Sequence, residues 1–425
     1  MSDRVENAVQ WSKIEARGFV SLQLVCFIKV FSRLYWLLPL TLVLIVATSI
    51  AASSAYAIDK DAFVKRFSQA FGKSVTVSYG NVLGDGDHLT LDNVRITGTP
   101  ISPDTSLGKV EFSGIKEEDH GGYSIEKVAI PQISYVYEGN TIKVANVTFS
   151  NVTLPPNKGL YNQNIGFRYQ NGQFNKLELQ DNAKKRLAML EKGSVSLHPS
   201  IRENPIDFTI NIKKITVFVD NFPDGSTKKD FIAMGYKNAT GRLDLAGVYG
   251  GYLSMMELKR FHLVLDKGGI LDVSLKMDGI TLDSLLTVVT LQRENQHGHI
   301  KSSQMWLGML AQVQRYNFYG GKLRFEDHSL TGKLVNTEAK RMGIDGNALK
   351  TKWKTSLPGW LDFAKGTNFE ADAQKAITSY LDAPHSLAVS STPMDRLPVI
   401  MLAISGKLSP KELVRELNLA ITSNR

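Results

Sequence analysis

"LTLDNVRI", residues 89–96, alternates apolar and polar residues, breaks step at Asp92-Asn93, and then alternates again. Alternation with a period of two is the pattern of a strand with one buried face. The extra polar residue would turn Val94 and Ile96 away from the face of Leu89 and Leu91 unless the strand bulges there. A bulge keeps all four apolar residues on one side. The same pattern recurs in "YSIEKVAI" (123–130), "IKVANVTF" (142–149), "INIKKITV" (210–217), "MELKRFHL" (256–263) and "LKMDGITL" (275–282). At this apolar content roughly one such match arises by chance, so the recurrence predicts a sheet of bulged strands.

Turn residues punctuate these strands. "EGN" (138–140) and "KGG" (267–269) divide two pairs of matches that share one spacing, from 123 to 142 and from 256 to 275, as meandering antiparallel strands or a duplicated unit would. Just before the first match, "GDGDH" (84–88) packs two aspartates, two glycines and a histidine together. A calcium loop needs further oxygen ligands at regular spacing and a distant glutamate, which this stretch lacks. Glycine and aspartate tolerate positive φ, so the stretch reads as a hairpin turn after the alternating run "SVTVSYGNV" (74–82).

From about residue 281 the apolar spacing changes to three and four. "DSLLTVVTLQREN" (283–295) and "SQMWLGMLAQVQ" (303–314) read as helices. Further helices are expected near 329–342, near 358–364 led by Pro358, and near 369–382. "NFYGGKLRFED" (317–327) reads as a hairpin turning at Gly320-Gly321. In "SPKELVREL" (409–417), Ser409 is an N-cap, Pro410 the first helical residue and Glu412 the capping-box partner. The short strands "SLAVSS" (386–391) and "LAITS" (419–423) flank that stretch and are expected to pair. The fold class is α+β: a β-rich antiparallel N-terminal layer of bulged, meandering strands (58–282), then a mainly helical C-terminal region with short hairpins (283–425). Between the two there is no Pro/Gly/Ser linker.

The N-terminus is of another kind. No charge occurs between Arg33 and Asp59, and "LYWLLPLTLVLIVATSIAASSAYA" fits a membrane anchor or a signal-peptide h-region ending at Ala55-Tyr56-Ala57. Residues 1–34 form a basic cytoplasmic flank and residues 35–57 the apolar segment. By the positive-inside bias, residues 58 onward lie across the membrane, in the periplasm, whether the segment is cleaved or stays as a single-pass inner-membrane anchor. Residues 1–57 carry five of the basic and three of the acidic residues, so +7 of the net +9 belongs to the remaining chain. That excess favours anionic headgroups or wall polymers over nucleic acid as a partner. The single cysteine, Cys26, precedes the cleavage motif, which leaves the exported part without thiols for disulfides, zinc-thiolate sites or a cysteine nucleophile.

Catalytic spacing is thin. There is no G-x-S-x-G elbow, Gly72-Lys73-Ser74 lacks the earlier glycine of a phosphate-binding loop, and Ser113/Lys116 and Ser226/Lys229 lack the companion motifs of a serine-lysine enzyme. His297 and His299 fall in a polar link where a solvated loop is expected. No enzyme activity, metal or cofactor is expected. The candidate contact for a membrane or polyanion is "LKTKWKTSLPGW" (349–360), with Lys350, Lys352 and Lys354 around Trp353 and Trp360 nearby. Against it stands a solvated basic loop with Trp353 in the core. The candidate apolar groove is marked by Leu89, Leu91, Ile142, Val144 and Leu258.

At strands such as "LTLDNVRI" the chain resembles AsmA-like envelope proteins, a resemblance that implies an anchored, lipid-handling β-groove. From "MGYKNATGRLDLAGVYG" (234–250) through "LRFEDHSLTGKLVNTEAKRMG" (323–343) to "SYLDAPHSLAVSSTP" (379–393) it is similar to a group of uncharacterised exported proteins of Gram-negative bacteria. The expected function is that of a non-enzymatic envelope protein whose sheet presents an apolar face to membrane lipid or an envelope protein. The alternatives are a structural or interaction module with a closed core, and then an unrecognised hydrolase.

Overall fold

The computed structural model describes residues 58–425 apart from 72–74, 99–103, 138, 156–167, 200–204, 251–253 and 297. The expected flank at 1–34 and apolar segment at 35–57 lie outside the described residues, as do Gly72-Lys73-Ser74 and His297. The fold is α+β, with extensive antiparallel sheet before mainly helical structure. The chain divides into two compact units. Among the described residues, one holds those of 58–222 and 238–250; the other holds those of 223–237 and 254–425. Residues 282 and 283 both fall in the second unit.

In the N-terminal unit, helix α1 (Lys60–Gln69) precedes strands β1 (Thr76–Ser78), β2 (Val82–Asp85), β3 (His88–Thr97), β4 (Asp104–Glu118), β5 (Gly122–Tyr137), β6 (Asn140–Leu154), β7 (Asn171–Gln180), β8 (Arg186–Pro199), β9 (Pro205–Phe218) and β10 (Asn238–Gly250). From β3 to β10 each strand pairs antiparallel with the next, while β1 and β2 lie end to end along β3. The Gly-Asp stretch is a hairpin turn, with Asp85 opposite His88 and Gly86 at φ 57°. Between Leu91 and Val94 the β3–β4 pairing shifts register at the expected bulge, Asn93 takes φ 55°, and Leu89, Leu91, Val94 and Ile96 are all buried.

Strands β5 to β9 solve the same problem differently. The residue pairs that break their alternation face one another across the sheet, in the row Gln132, Ala145, Lys176, Glu191 and Lys214. Because a pair meets a pair, the register passes through this crease unbroken. Alternate strands carry the reversal on a left-handed residue, Asn146 at φ 54° and Lys192 at φ 55°. Beside the crease, Ile133, Val144, Leu177, Leu190 and Ile215 form one apolar row over five strands.

Helix α1 covers part of that face. The Asp59 carboxylate accepts from the N–H groups of Asp61 and Ala62 and fixes the helix start. Phe63 and Phe67 stand edge-on to Phe112, and Phe63 also to Tyr123, at centroid distances of 5.1 Å. Such contacts contribute ~0.5–1.5 kcal/mol each beyond area burial. The Arg66 guanidinium donates to the Pro155 carbonyl and ties the helix to the end of β6.

The C-terminal unit runs α2 (Ser226–Ala233), β11 (Met255–Leu265), β12 (Gly269–Asp278), α3 (Leu282–Gln296), α4 (Ser302–Val313), β13 (Asn317–Asp327), α5 (Leu330–Met342), α6 (Gly346–Trp360), α7 (Asn368–Asp382), β14 (Ser386–Ser391), β15 (Leu397–Pro398), α8 (Val399–Leu408), α9 (Pro410–Glu416) and β16 (Leu419–Ser423). Its strands pair in the order β11, β12, β13, β14, β16. The two short terminal strands pair as expected, and Pro410 opens its helix, although the Ser409 side chain makes no capping bond.

Three expectations are corrected. Residues 317–327 form one strand, not a hairpin: the register shifts past Tyr319, and Gly320 and Gly321 sit where Cβ atoms would strike the backbone of Ser391 and Ser274 on the flanking strands. Pro358 ends a helix rather than starting one. The start lies at Asp345, whose carboxylate accepts from Asn347 N at 2.8 Å and Ala348 N at 2.9 Å. The match at 275–282 breaks off after Asp278, where Gly279 turns the chain at φ 76° into α3.

Candidate functional site

Five residues were expected on an apolar groove, and the structure separates them by burial. Leu89, Leu91, Ile142 and Val144 lie on the apolar face of the N-terminal sheet, all at most 3% exposed. These four side chains are shielded from solvent. Leu258 belongs to the C-terminal sheet and is only half-buried.

Cross-strand pairing extends the face around Leu258. Leu258 is opposite Leu275 and Phe261 opposite Val273; Val273 is next opposite Leu323, and Leu271 opposite Phe325. All seven side chains are half-buried. The register shift at Lys259-Arg260 keeps Phe261 on the side of Leu258, which is the bulge expected from "MELKRFHL". The alternate residues on the other face carry His262 Nδ1 2.7 Å from Asp272 and the Arg324–Glu326 pair at 3.5 Å. Farther along the apolar face, Leu387, Val389 and Ile421 are covered by α6, α7 and α9 through Leu357, Ala373, Ile377 and Val414. The sheet therefore passes from a helix-covered end to one whose side chains are half-buried around a buried Leu263, opposite Leu271.

The basic-aromatic stretch forms α6. Trp353 and Trp360 pack against the helical core, and Lys354 pairs with Asp382. Lys352 is exposed and Lys350 half-buried. The structure thus gathers all five residues on one helix and turns both indole rings toward the core.

Polar clusters in this unit act as ties. The buried Asp278 carboxylate accepts from Asn317 Nδ2 and the Tyr319 hydroxyl, both at 2.6 Å, and the bond to Asp278 raises the Tyr319 pKa. Lys333 donates to the Tyr236 hydroxyl at 3.0 Å and lies 4.2 Å from its ring centroid; burial pushes the Tyr236 phenol up to about 12. Asp327 accepts from the Thr331 N–H and hydroxyl, and Thr331 shares a hydrogen bond with the Tyr380 hydroxyl. His299 pairs with Glu294 at 2.8 Å on the surface. Among the described residues no group of three His, Cys, Asp or Glu side chains is placed to hold a metal ion.

Sequence reasoning passed over α4 and α8 as surface features. Trp306 and Leu307 on α4, and Leu408 on α8, are more than half exposed. The signal was the lack of any charge from Ser302 to Gln314. Among the described residues no helix is long and apolar enough to cross a membrane.

In a comparison with protein families, a model of bacterial origin described as "Uncharacterized protein" aligns with residues 262–424. It takes in most of the C-terminal unit, including the Val273 and Phe325 face and helices α3 to α9. No curated protein matches the chain.

Proposed function

We propose that this is a non-enzymatic protein of the bacterial cell envelope that binds lipid or another apolar ligand along the sheet face of its C-terminal unit. Residues 35–57 carry the chain across the inner membrane or anchor it there, which leaves the two units in the periplasm. The reading rests on the seven half-buried side chains from Leu258 to Phe325, contiguous by register. Large apolar surfaces left partly open mark binding sites more often than chance.

Mass spectrometry of organic extracts from gently purified protein tests it. Lipid should co-purify with the parent and be lost from Leu275→Asp, with the variant still folded by circular dichroism. A parent without lipid, or a variant that retains it, sinks the reading. The closed N-terminal face favours a second role for that unit, as a structural or protein-interaction scaffold, because its apolar side chains are already used for packing.

A further inference from the structure

Helices α4 and α8 lie side by side in the C-terminal unit, and each turns an apolar stripe outward. On α4 the exposed large apolar residues are Trp306 (58%), Leu307 (68%) and Leu310 (37%); on α8 they are Met401 (48%), Ile404 (43%) and Leu408 (78%). Positions 401, 404 and 408 repeat at helical spacing, so they share one face, as do 306, 307 and 310. A helix lying on a protein in water places polar residues there. Single exposed leucines are ordinary, but six large apolar side chains on two neighbouring helices are a patch.

Along the two helical stretches the charge is basic, and the exposed carboxylates of Asp395 and Glu412 adjoin the α8 stretch at Arg396 and Lys411. No acidic residue occurs between Glu294 and Glu326, or between Asp395 and Glu412. Lys301 and Arg315 bracket α4, and Arg396 and Lys411 bracket α8 with its following turn; all four are exposed. A helix of twelve residues is about 18 Å long, too short to span hydrocarbon about 30 Å thick. Apolar stripes with Trp and Leu outward and cations at their ends are the composition of helices that lie in the headgroup plane.

We propose that α4 and α8 form a membrane-docking surface that seats the C-terminal unit on an anionic bilayer. The occupant is the lipid surface rather than a second copy, because basic rims on two identical patches would repel one another. Docking needs no ligand on the sheet, and its test reads helix immersion, not bound lipid, so the two readings can fail separately.

The test uses the full chain reconstituted in vesicles of phosphatidylethanolamine and phosphatidylglycerol. With Cys26→Ser, one introduced cysteine carries a spin label: Leu307→Cys, Ile404→Cys or, as an exposed control on α7, Asp372→Cys. Labels at 307 and 404 should collide more with membrane-dissolved oxygen than with an aqueous nickel chelate, the control should show the reverse, and the immersion should weaken in neutral phosphatidylcholine. Labels at 307 and 404 as water-accessible as the control would overturn the proposal. So would labels immobilised in detergent solution as protein concentration rises, which would identify a second copy as the occupant. Equal immersion in both vesicle types would overturn the preference for anionic headgroups.

Discussion

Phe174 lies across Gly193, its directly paired neighbour on β8, and the ring fills the space that a Cβ at position 193 would need. An aromatic laid over a glycine supplies the contact surface that the glycine lacks. The crease passes beside this pair, at Asn175-Lys176 and Glu191-Lys192, so the ring also steadies the place where the strands reverse their facing.

Gly193→Ala should therefore displace the ring and cost about 1–3 kcal/mol, the usual range for overpacking. Urea denaturation measures it. In a Phe174→Leu background the same change should cost much less; an equal cost in both would show that the ring is not the obstacle.

Lys192 is exposed and held at φ 55°, a conformation that β-branched side chains strongly resist. Lys192→Gly should exceed Lys192→Val in stability by about 1–2 kcal/mol. Equal melting temperatures for the two would argue that the backbone at the crease relaxes away from the left-handed region.

Val144 is 3% exposed and Leu275 half-buried, so a charge should act differently at the two sites. Val144→Asp buries an unpaired carboxylate and should lose more than about 4 kcal/mol or fail to fold. Leu275→Asp should remain folded, its charge reaching water. A Val144→Asp protein that melts like the parent would mean the N-terminal face is open.

Burial holds the Asp327 carboxyl above its ordinary pKa, against the opposing donation from Thr331. A carboxyl whose pKa rises on folding binds its proton more tightly in the native state, so its ionisation costs stability as pH rises from the unfolded value, about 3.9, through the folded one. Asp327→Asn keeps an acceptor for Thr331 and removes that cost. The variant should match the parent in acid and gain on it toward neutral pH, by thermal melts across that window; a difference independent of pH would assign the effect to packing.

If residues 58 onward lie outside the cytoplasm, alkaline phosphatase fused after residue 70 should be active in cells, because the basic flank of Lys13, Arg17, Lys29 and Arg33 stays inside. An expressed but inactive fusion would reverse the topology.

Much of the strand architecture was legible because the chain writes it locally. The polar pair in "LTLDNVRI" predicts a bulge that the β3–β4 register shift contains, and "GDGDH" specifies its own turn. In β5 to β9 the pairs face one another and the register runs through the crease without a shift, which depends on the neighbouring strand and cannot be read from one strand alone. Gly320-Gly321 misleads for a related reason: glycines that turn a hairpin and glycines that admit adjacent backbone look alike in sequence. Pro358 misleads because proline favours the first turn of a helix, yet near the end of α6 it is accommodated at the cost of one backbone hydrogen bond. At the candidate face, Leu258 was legible as an inward position. Its difference from Val144 was not, because half-burial is decided by what packs above a sheet, and alternation reports only which way a side chain points.

The crease in the N-terminal sheet has a modular consequence. Every strand from β5 to β9 brings its own matching pair to the same row, so removing the β7–β8 hairpin would leave β6 and β9 antiparallel, with Ala145-Asn146 and Lys213-Lys214 available to meet. The sheet is a strip of interchangeable tiles, whose length can grow or shrink by whole hairpins while the apolar row runs on across the join.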